Sequence, residues 1–292
     1  MKISEILKQN QQGVAFEFFP PRSEQGRAAL INTIKALAES KPLYASMTCG
    51  AGGTVQGATK EAVSLLLKER NFEVMPHLTC LDLEPDTLKG LLDDYQSQGI
   101  ENIMALRGDP PQDVSNFSFS GQNFFCARAL VKAIKDYGHF CIGVAVYPEG
   151  HIEASTLDQD LEYARQKIDA GADFAVTQMF FDNSYYYRLL ERMKKQGVNI
   201  PVLPGILPLT DLAKVKQFAS ICRTTIPKNI EETMAKLAGK PREQEKAGVD
   251  FTIRQCQDLL KNGAKKLHFF TLNQPEIIKT ILKAIFTGTD PI

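Results

Sequence analysis

The sequence predicts a single (β/α)8 barrel, an α/β fold in which eight parallel strands alternate with helices. Three observations support this prediction: eight short apolar segments recur along the 292 residues, amphipathic stretches separate them, and no linker or low-complexity tract divides the chain. Regular alternation of strands and helices requires a parallel sheet with right-handed connections. Since one barrel accommodates a chain of this length, we expect residues 1–292 to form one domain.

The predicted strands are apolar and rich in β-branched or aromatic residues, as expected for strands that are covered on both faces. In chain order they span residues 14–19, 43–48, 72–78, 102–106, 141–146, 174–178, 201–206 and 266–270. Eight such units favour closure into a barrel over an open, doubly wound sheet. The seventh connection, residues 207–265, is too long for one helix, so we expect an extra helix near residues 229–237 before the next one.

Helices are predicted where apolar residues recur three and four positions apart. A proline in the first turn and a glycine after the last turn are typical helix boundaries. The clearest stripes are Leu88, Leu91, Leu92 and Tyr95 after Pro85; Leu161, Ala164 and Ile168 before Gly171; Val249, Ile253, Cys256 and Leu260; and Ile278, Ile281, Leu282 and Ile285.

Composition excludes several classes of protein. Lys plus Arg and Asp plus Glu number 34 each, so no net charge attracts nucleic acid or an anionic membrane. The first eight residues do not resemble a secretory signal, and no segment approaches the roughly 18–20 apolar residues of a membrane span. We therefore expect a soluble, cytoplasmic protein. The six cysteines form no C-x-x-C pair, which argues against a metal site or dithiol chemistry and favours buried, unpaired thiols.

Glu17 is the first polar residue to interrupt the apolar strands. Period-two alternation places Ala15 and Glu17 on one face of the first strand, with Phe16 and Phe18 on the other. An ionised carboxylate among phenylalanines is costly, so we expect its pKa to be raised, which would make it a candidate general acid. The alternative is a structural glutamate paired with Arg22 or another cation of the barrel, and the strand alone leaves both interpretations open.

Further polar residues follow the other strands, and catalytic groups of barrels gather at the carboxyl ends of the strands. His77, Tyr147 and Gln178 lie at the ends of the third, fifth and sixth strands, and Arg107-Gly108-Asp109 follows the fourth. A guanidinium suits a phosphate, and a nearby carboxylate suits a hydrogen-bonding heterocycle. These residues form neither the nucleophile elbow of a serine hydrolase nor a metal-binding pattern.

Taken together, the strand ends resemble those of the methylenetetrahydrofolate reductase family. No single motif is decisive, but the set occurs in the family's order from one end of the chain to the other. The matching segments are FEFFPP at 16–21, PHLT at 76–79, ALRGD at 105–109, YPEGH at 147–151, DAGA at 169–172, TQMFF at 177–181, PGILP at 204–208 and HFFTLN at 268–273.

The resemblance implies a barrel that binds FAD and reduces 5,10-methylenetetrahydrofolate to 5-methyltetrahydrofolate, with NADH or NADPH as the electron donor. The product would supply methyl groups for methionine synthesis. The resemblance also implies the short bacterial form of the family, no need for a Rossmann glycine motif, and a homo-oligomer, often a tetramer.

The resemblance assigns roles to individual residues. Glu17 matches the general acid that protonates N10 of the folate, and Asp109 matches the carboxylate that faces both flavin and pterin. Gln178 and Phe218 match substrate contacts. The flavin contacts would be Thr48, Ala51, His77, Arg107, Gly108, Asp109, Cys126, Ala127, Tyr147, His151, Ala154, Asp160, Tyr163 and Lys167.

Two positions depart from the family pattern. Cys49 stands where a tyrosine is frequent, so a tyrosine contact with flavin is lost. Gln274 stands where the family often has arginine, which would weaken the contact with the glutamate tail of folate or shift it to a lysine such as Lys214. Neither change affects the chemistry assigned to Glu17 and Asp109.

Two other functions would suit a barrel of this kind. The first is a flavin enzyme with another oxidisable substrate, such as a proline dehydrogenase-like protein, in which proline rather than NADH would reduce the flavin. The second is a non-catalytic subunit of an electron-transfer complex. Because the chain has no cysteine cluster for iron–sulfur binding, such a partner would be a separate chain that co-purifies with it.

Overall fold

The computed structural model describes residues 1–9, 12–49, 56–69, 72–109 and 121–286, and within them the chain forms a parallel β-barrel surrounded by helices. The strand segments are β1 Gly13–Phe18, β2 Tyr44–Met47, β3 Glu73–Thr79, β4 Asn102–Leu106, β5 Cys141–Val146, β6 Phe174–Thr177, β7 Val202–Leu203, β8 Gly205–Ile206 and β9 Lys266–Phe270. The helices are α1 Ile3–Lys8, α2 Glu24–Ala38, α3 Gln56–Lys68, α4 Pro85–Ser97, α5 Ala127–Tyr137, α6 Leu157–Asp169, α7 Asn183–Lys195, α8 Leu212–Cys222, α9 Lys228–Lys236, α10 Pro241–Lys261 and α11 Pro275–Ile285.

The sheet closes through a strand that is interrupted at Pro204. The strand order runs β7-β6-β5-β4-β3-β2-β1-β9-β8, and its two ends, β7 and β8, are separated along the chain by that proline alone. Pro204 has no N–H to donate, but its carbonyl accepts a hydrogen bond from the His268 N–H at 3.0 Å. The predicted barrel is therefore confirmed, and the predicted seventh strand is present as two short pieces.

A close backbone approach explains why the interruption is followed by a glycine. The N–H of Gly205 donates to the side-chain Oγ1 of Thr177 at 2.9 Å. A Cβ on Gly205 would lie 2.2 Å from the Thr177 carbonyl oxygen, so a larger residue would force β6 and β8 apart.

The predicted helical stripes face the barrel. Leu88, Leu91, Leu92 and Tyr95 are all buried on α4, which begins at Pro85. On α6 the hydroxyl of Thr156 caps the first turn, and Gly171 follows the last turn with a φ of +121°. The extra helix near residues 229–237 is confirmed as α9, whereas α1 and α8 were not foreseen from the sequence.

Alternation along the strands separates two apolar layers. Phe16 and Phe18 face outward and pack with the helices in the larger core. Ala15, Tyr44 and Phe174 belong to a smaller core inside the barrel. The interior of the barrel is thus filled with side chains, and polar groups on the inward face need partners within it.

Helix α1 seals the end of the barrel at which the strands begin. Ile3 and Leu7 of α1 belong to the interior core. Asn102, the first residue of β4, accepts a hydrogen bond from the Ile3 N–H at 2.7 Å and donates to the Met1 carbonyl at 3.1 Å. Solvent and ligands are therefore kept to the opposite end, where the strands finish.

Half of the cysteines fit the prediction of buried thiols. Cys80, Cys141 and Cys256 are buried, whereas Cys49, Cys126 and Cys222 are half-buried, and all six are unpaired. No helix in the described part of the chain is both long and apolar enough to cross a membrane.

Asn102→Ala should destabilise the protein by about 2 kcal/mol, because the fully buried Ile3 N–H would lose its acceptor. Urea unfolding followed by far-UV circular dichroism measures the change. Asn262→Ala removes the amide of an exposed asparagine beyond α10 and serves as the matched control, with an expected change within about 0.5 kcal/mol. Equal effects of the two substitutions would contradict the sealing role of α1.

Candidate active site

Glu17 lies at the centre of a buried polar cluster inside the barrel. Its Oε2 atom is 3.2 Å from Nε2 of His268 and 3.5 Å from Nε2 of His77. The three residues come from β1, β9 and β3, and each is at most 7% exposed. We refer to Glu17, His77, His268 and Tyr44 as the interior cluster.

Tyr44 extends the interior cluster on the far side of His268. Its hydroxyl oxygen is 3.1 Å from Nδ1 of His268. In the strand register Ala15 pairs with Tyr44 on one side and with His268 on the other. The small side chain of Ala15 leaves the space in which the two larger side chains meet.

The expectation of a raised pKa for Glu17 is wrong. Burial by itself raises the pKa of this carboxyl, but the charge of His77 and the hydrogen bond from His268 lower it, and the result lies below the ordinary value of 4.5. The phenylalanines expected to surround Glu17 lie on the outer face of β1, whereas its own face meets the two histidines. Arg22 is exposed, so the partners of the buried carboxylate are histidines instead.

A second cluster lies where β5 ends and α6 begins. The rings of Tyr147 and His151 meet edge to face, with their centroids 4.8 Å apart. The Lys167 ammonium lies 5.7 Å from the centre of the Tyr147 ring and donates to the Ala145 carbonyl at 2.6 Å. Burial lowers the pKa of Lys167 to about 8, although the charge of Asp160 opposes that shift. We call Tyr147, His151, Asp160 and Lys167 the β5 cluster.

Arg107, directly after β4, is held by a carboxylate. Its guanidinium makes a two-pronged ion pair with Glu153, in which Nη2 donates to Oε1 at 2.8 Å and Nη1 donates to Oε2. This fork is the geometry that guanidinium groups also use for phosphate. Because Glu153 is half-exposed, its carboxylate can be displaced by an anionic ligand at modest cost.

Gly108 and Asp109 continue the strand end towards the β5 cluster. Gly108 has a φ of +85°, and a Cβ there would lie 3.0 Å from the Cβ of Thr79, so the position requires glycine. Asp109 is exposed, and its charge raises the pKa of Tyr147, to which burial contributes most. Burial raises the pKa of Cys222, the last residue of α8, and the charge of Asp109 adds to that shift.

The residues assigned to the substrate are spread around the mouth of the barrel. Gln178 follows β6 and is half-buried, and its Oε1 accepts a hydrogen bond from the Met179 N–H at 2.8 Å. Phe218 lies on α8 and is 37% exposed, and Gln274 is exposed at the start of α11. Among the described residues, no hydrogen bond or ion pair joins these three side chains to Glu17.

The remaining flavin-contact candidates have varied positions. Cys126 precedes α5 and Ala127 begins it. Ala154 is buried, and Tyr163 is 47% exposed on α6. Thr48 follows β2, where its N–H donates to the Phe18 carbonyl at 3.0 Å. Ala51 lies outside the described residues.

The sequence interpretation missed the residues that join α8 to the β5 cluster. Arg223, at the end of α8, donates to the Ala154 carbonyl at 3.1 Å. The Thr225 N–H donates to both carboxylate oxygens of Glu149, at 3.0 and 3.1 Å. These bonds fix the helix that carries Phe218, and no sequence signal indicated them beyond the position of Glu149 in the YPEGH segment.

His268 and Tyr44 were also missed as site residues. A signal for them was present, because His268 lies three residues before Thr271 in a matching segment and both side chains occupy inward-facing positions of short strands. Across the described residues, no group of His, Cys, Asp and Glu side chains has the arrangement that would hold a metal ion.

Comparison with known proteins decides between the families that could use such a barrel. A sequence model of the family described as methylenetetrahydrofolate reductase matches residues 2–286. The chain belongs to the methylenetetrahydrofolate reductase family. Catalogued relatives include the 5,10-methylenetetrahydrofolate reductase of Escherichia coli, 36% identical over 92% of this chain and 89% of its own length. The enzyme of the same name from Pectobacterium carotovorum is 35% identical, with 97% and 93% covered.

The methylenetetrahydrofolate reductase family also includes longer proteins. Methylenetetrahydrofolate reductase (NADH) 1 of Arabidopsis thaliana is 35% identical over 93% of this chain, which spans only 48% of the length of that relative. Among solved structures, a Clostridium thermocellum protein described as binding two copies of 5-methyl-5,6,7,8-tetrahydrofolic acid has a TM-score of 0.67 at 13% identity, with 96% of each chain covered. That likeness shows the barrel fold alone.

The interior cluster of this methylenetetrahydrofolate reductase family member should make stability depend on pH through His77. Burial holds the pKa of His77 below its ordinary value of 6.5, although the charge of Glu17 opposes that shift. Below pH 6.5 the unfolded chain therefore binds a proton that the folded chain does not, and the free energy of unfolding falls as the pH is lowered towards the folded pKa.

His77→Gln should reduce this dependence by roughly 1 kcal/mol between about pH 7 and pH 5. Urea unfolding at several pH values measures it, and His139→Gln controls for the loss of a histidine elsewhere. The contribution of Glu17 belongs to a lower window, because its pKa lies below 4.5 and its stabilisation is lost only as the pH falls through that pKa. If His77→Gln left the pH dependence of the free energy of unfolding unchanged, the burial of a neutral His77 would be contradicted.

Proposed function

We propose that the chain reduces 5,10-methylenetetrahydrofolate to 5-methyltetrahydrofolate, with FAD as bound cofactor and a reduced nicotinamide as electron donor. The observation that carries the proposal is the family match over residues 2–286. The position of Glu17 supports it, because the structure places this carboxyl in the barrel interior with two histidines on one of its oxygens. The product would supply methyl groups for methionine synthesis.

The residues at the mouth fit a flavin dinucleotide. Arg107 and Lys167 supply positive charge for a pyrophosphate, and Gly108 lets a ligand approach the backbone closely. Asp160 is a buried carboxylate suited to ribose hydroxyls, and the buried His77 Nε2 has no hydrogen-bond partner among the described residues. When bound, the flavin would supply a ring that accepts a hydride from the nicotinamide and passes it to the folate.

Glu17 would be the proton donor to N10 of the folate, which opens the methylene bridge for reduction. Because its pKa is lowered, the carboxyl must acquire its proton at the site. His77 lies beside the same carboxyl, with its Nε2 3.5 Å from Oε2, and burial lowers the pKa of its ring.

The other side chains of the mouth would orient the two substrates. Asp109, exposed beside Tyr147, would face both the flavin and the pterin, and Gln178 would contact whichever substrate occupies the shared site. Phe218 would stack on the aminobenzoyl ring of folate. Gln274, together with Lys214 on α8, would take the place of an arginine at the glutamate tail.

One site for nicotinamide and folate implies ping-pong kinetics. The Arabidopsis relative is named for NADH, which supports NADH over NADPH as the donor. We further propose that residues 1–292 act as one catalytic domain, in the cytoplasm and as a homo-oligomer, which the family resemblance supports.

The absorbance spectrum of the purified protein tests the proposal as a whole. We expect a yellow flavin spectrum that NADH bleaches and methylenetetrahydrofolate restores, with both steps followed anaerobically at the flavin absorbance band. A protein that purifies without flavin and gains no flavin spectrum when FAD is added would contradict it. Bleaching by proline but not by NADH would favour the other flavin barrel.

Glu17→Gln should separate the two half-reactions. Reduction of the flavin by NADH should keep its wild-type rate, whereas reoxidation by methylenetetrahydrofolate should slow by roughly 10²- to 10⁴-fold, because the proton donor is gone. Stopped-flow absorbance measures both rates. Glu191→Gln, on the exposed face of α7, is the matched control and should change neither rate. Equal losses in both half-reactions would overturn the assignment.

A further inference from the structure

We propose that Tyr44 and His268 are positioning residues that determine which oxygen of Glu17 carries the catalytic proton. Tyr44 donates to Nδ1 of His268, so that Nε2–H of the same ring donates to Oε2 of Glu17. The proton of Glu17 is thereby confined to Oε1. The assignment of Glu17 as proton donor rests on the proposed function, whereas the hydrogen-bonded arrangement itself does not.

The geometry restricts both side chains to one position. Tyr44 and His268 are both 0% exposed, and their rings lie 5.7 Å apart, nearly parallel. Phe174 packs against the edge of the Tyr44 ring and Phe270 against the edge of the His268 ring. Because the rings cannot turn without disturbing the interior core, the contacts of the two imidazole nitrogens are fixed.

The tautomer of His268 follows from the partners of its nitrogens. Burial and the charge of Glu17 raise the pKa of Tyr44 well above its ordinary value, so the phenol keeps its proton. Among the described residues, the hydrogen-bond partner of this hydroxyl is Nδ1 of His268, which must therefore accept. A neutral imidazole has one donor and one acceptor, which leaves the hydrogen on Nε2.

The opposite tautomer would leave two contacts unfavourable. With the hydrogen on Nδ1, the hydroxyl of Tyr44 would be a buried donor facing another donor. The lone pair of Nε2 would then face the Glu17 carboxylate at 3.2 Å, which is tolerable only if Oε2 itself carries the proton. The choice of tautomer is thus a choice between the two oxygens of Glu17.

Both histidine contacts of Glu17 are made to Oε2, so Oε1 is the oxygen that we assign to the substrate. Ser46, the register partner of Glu17 on β2, is the further side chain that acts on this carboxyl. Weakening the Tyr44 contact should let His268 exchange tautomers, and part of the protonated Glu17 would then hold its proton on Oε2, directed at the ring. Such a proton is turned away from the substrate. The expected result is a slower protonation step with no loss of substrate affinity.

A first experiment uses ¹⁵N-labelled histidine in the full chain and does not depend on activity. Two-dimensional spectra that correlate ring nitrogens with ring protons report which nitrogen carries hydrogen, and His→Gln variants of the four histidines assign the signals. We expect His268 with hydrogen on Nε2 and none on Nδ1, and a mixture of tautomers in Tyr44→Phe. Hydrogen on Nδ1 in the wild-type protein, or a tautomer that Tyr44→Phe leaves unchanged, would overturn the proposal.

A second experiment measures the half-reactions. Tyr44→Phe keeps the ring that packs on Phe174 and should slow flavin reoxidation by methylenetetrahydrofolate roughly two- to tenfold, the range for the loss of one hydrogen bond. The KM for the folate should not change, and the wild-type rate of flavin reduction should be retained. His268→Gln, whose amide can still donate to Glu17, should recover part of the rate that His268→Leu loses.

Tyr186→Phe is the matched control, because it removes the hydroxyl of another buried tyrosine, one that donates to the Val202 carbonyl at 2.9 Å. It should change neither the His268 spectrum nor flavin reoxidation. In a Glu17→Gln background, Tyr44→Phe should have no further kinetic effect, whereas an undiminished effect would show that Tyr44 acts by another route. If the wild-type protein did not reduce methylenetetrahydrofolate, the proposed function would be contradicted. The nitrogen spectra would still show which tautomer His268 adopts.

Discussion

A carboxylate inside a closed barrel is the constraint on which the rest of the site depends. Glu17 is nearly removed from water, and an ionised carboxyl there is unfavourable unless hydrogen-bond donors or cations face it. β3 and β9 each contribute one histidine to the same oxygen, and β2 contributes the hydroxyl that fixes one of those histidines. Burial favours the neutral form of Glu17, and its partners favour the charged form. The partners have the larger effect, so the pKa of Glu17 is lowered.

The two ends of the barrel differ because one of them is sealed. Helix α1 inserts Ile3 and Leu7 into the interior core where the strands begin, and Asn102 ties its first turn to β4. The interior side chains beneath Glu17, such as Phe174, are apolar and close-packed. A group that needs to exchange protons or meet a ligand can do so only towards the carboxyl ends of the strands, where Arg107, Tyr147 and their neighbours lie.

The sequence predicted the parts of the structure that are set locally. The bounds of β4, β5 and β9 agree with the predicted strands residue for residue, since each is a short and mostly apolar segment between polar ones. The interruption at Pro204 was not predicted. The sequence indicated one continuous strand over residues 201–206, since a proline can lie in a strand when its carbonyl finds a hydrogen-bond partner.

The site was predicted as a set of strand ends, but the shift in the pKa of Glu17 was predicted with the wrong sign. The partners that lower it, His77 and then His268, come from other strands, and His268 is 251 residues away. Alternation shows which face a side chain occupies without showing which residues meet there.

The strand register explains why the interior cluster and the β5 cluster can serve one ligand. On β3, His77 pairs with Met104 and Thr79 pairs with Leu106 of β4, so the residues directly after β4 lie beside the strand that carries His77. Arg107 and Gly108 therefore follow β4 next to the strand that carries His77. β5, which Tyr147 follows, pairs with the other side of β4. A parallel sheet places these groups along one edge without any glycine-rich dinucleotide motif, because the spacing between neighbouring strands, about 4.8 Å, sets the distance between successive contacts. This continuity supports the proposal that Arg107 and Lys167, together with the interior cluster, would hold one extended cofactor at the mouth of the barrel.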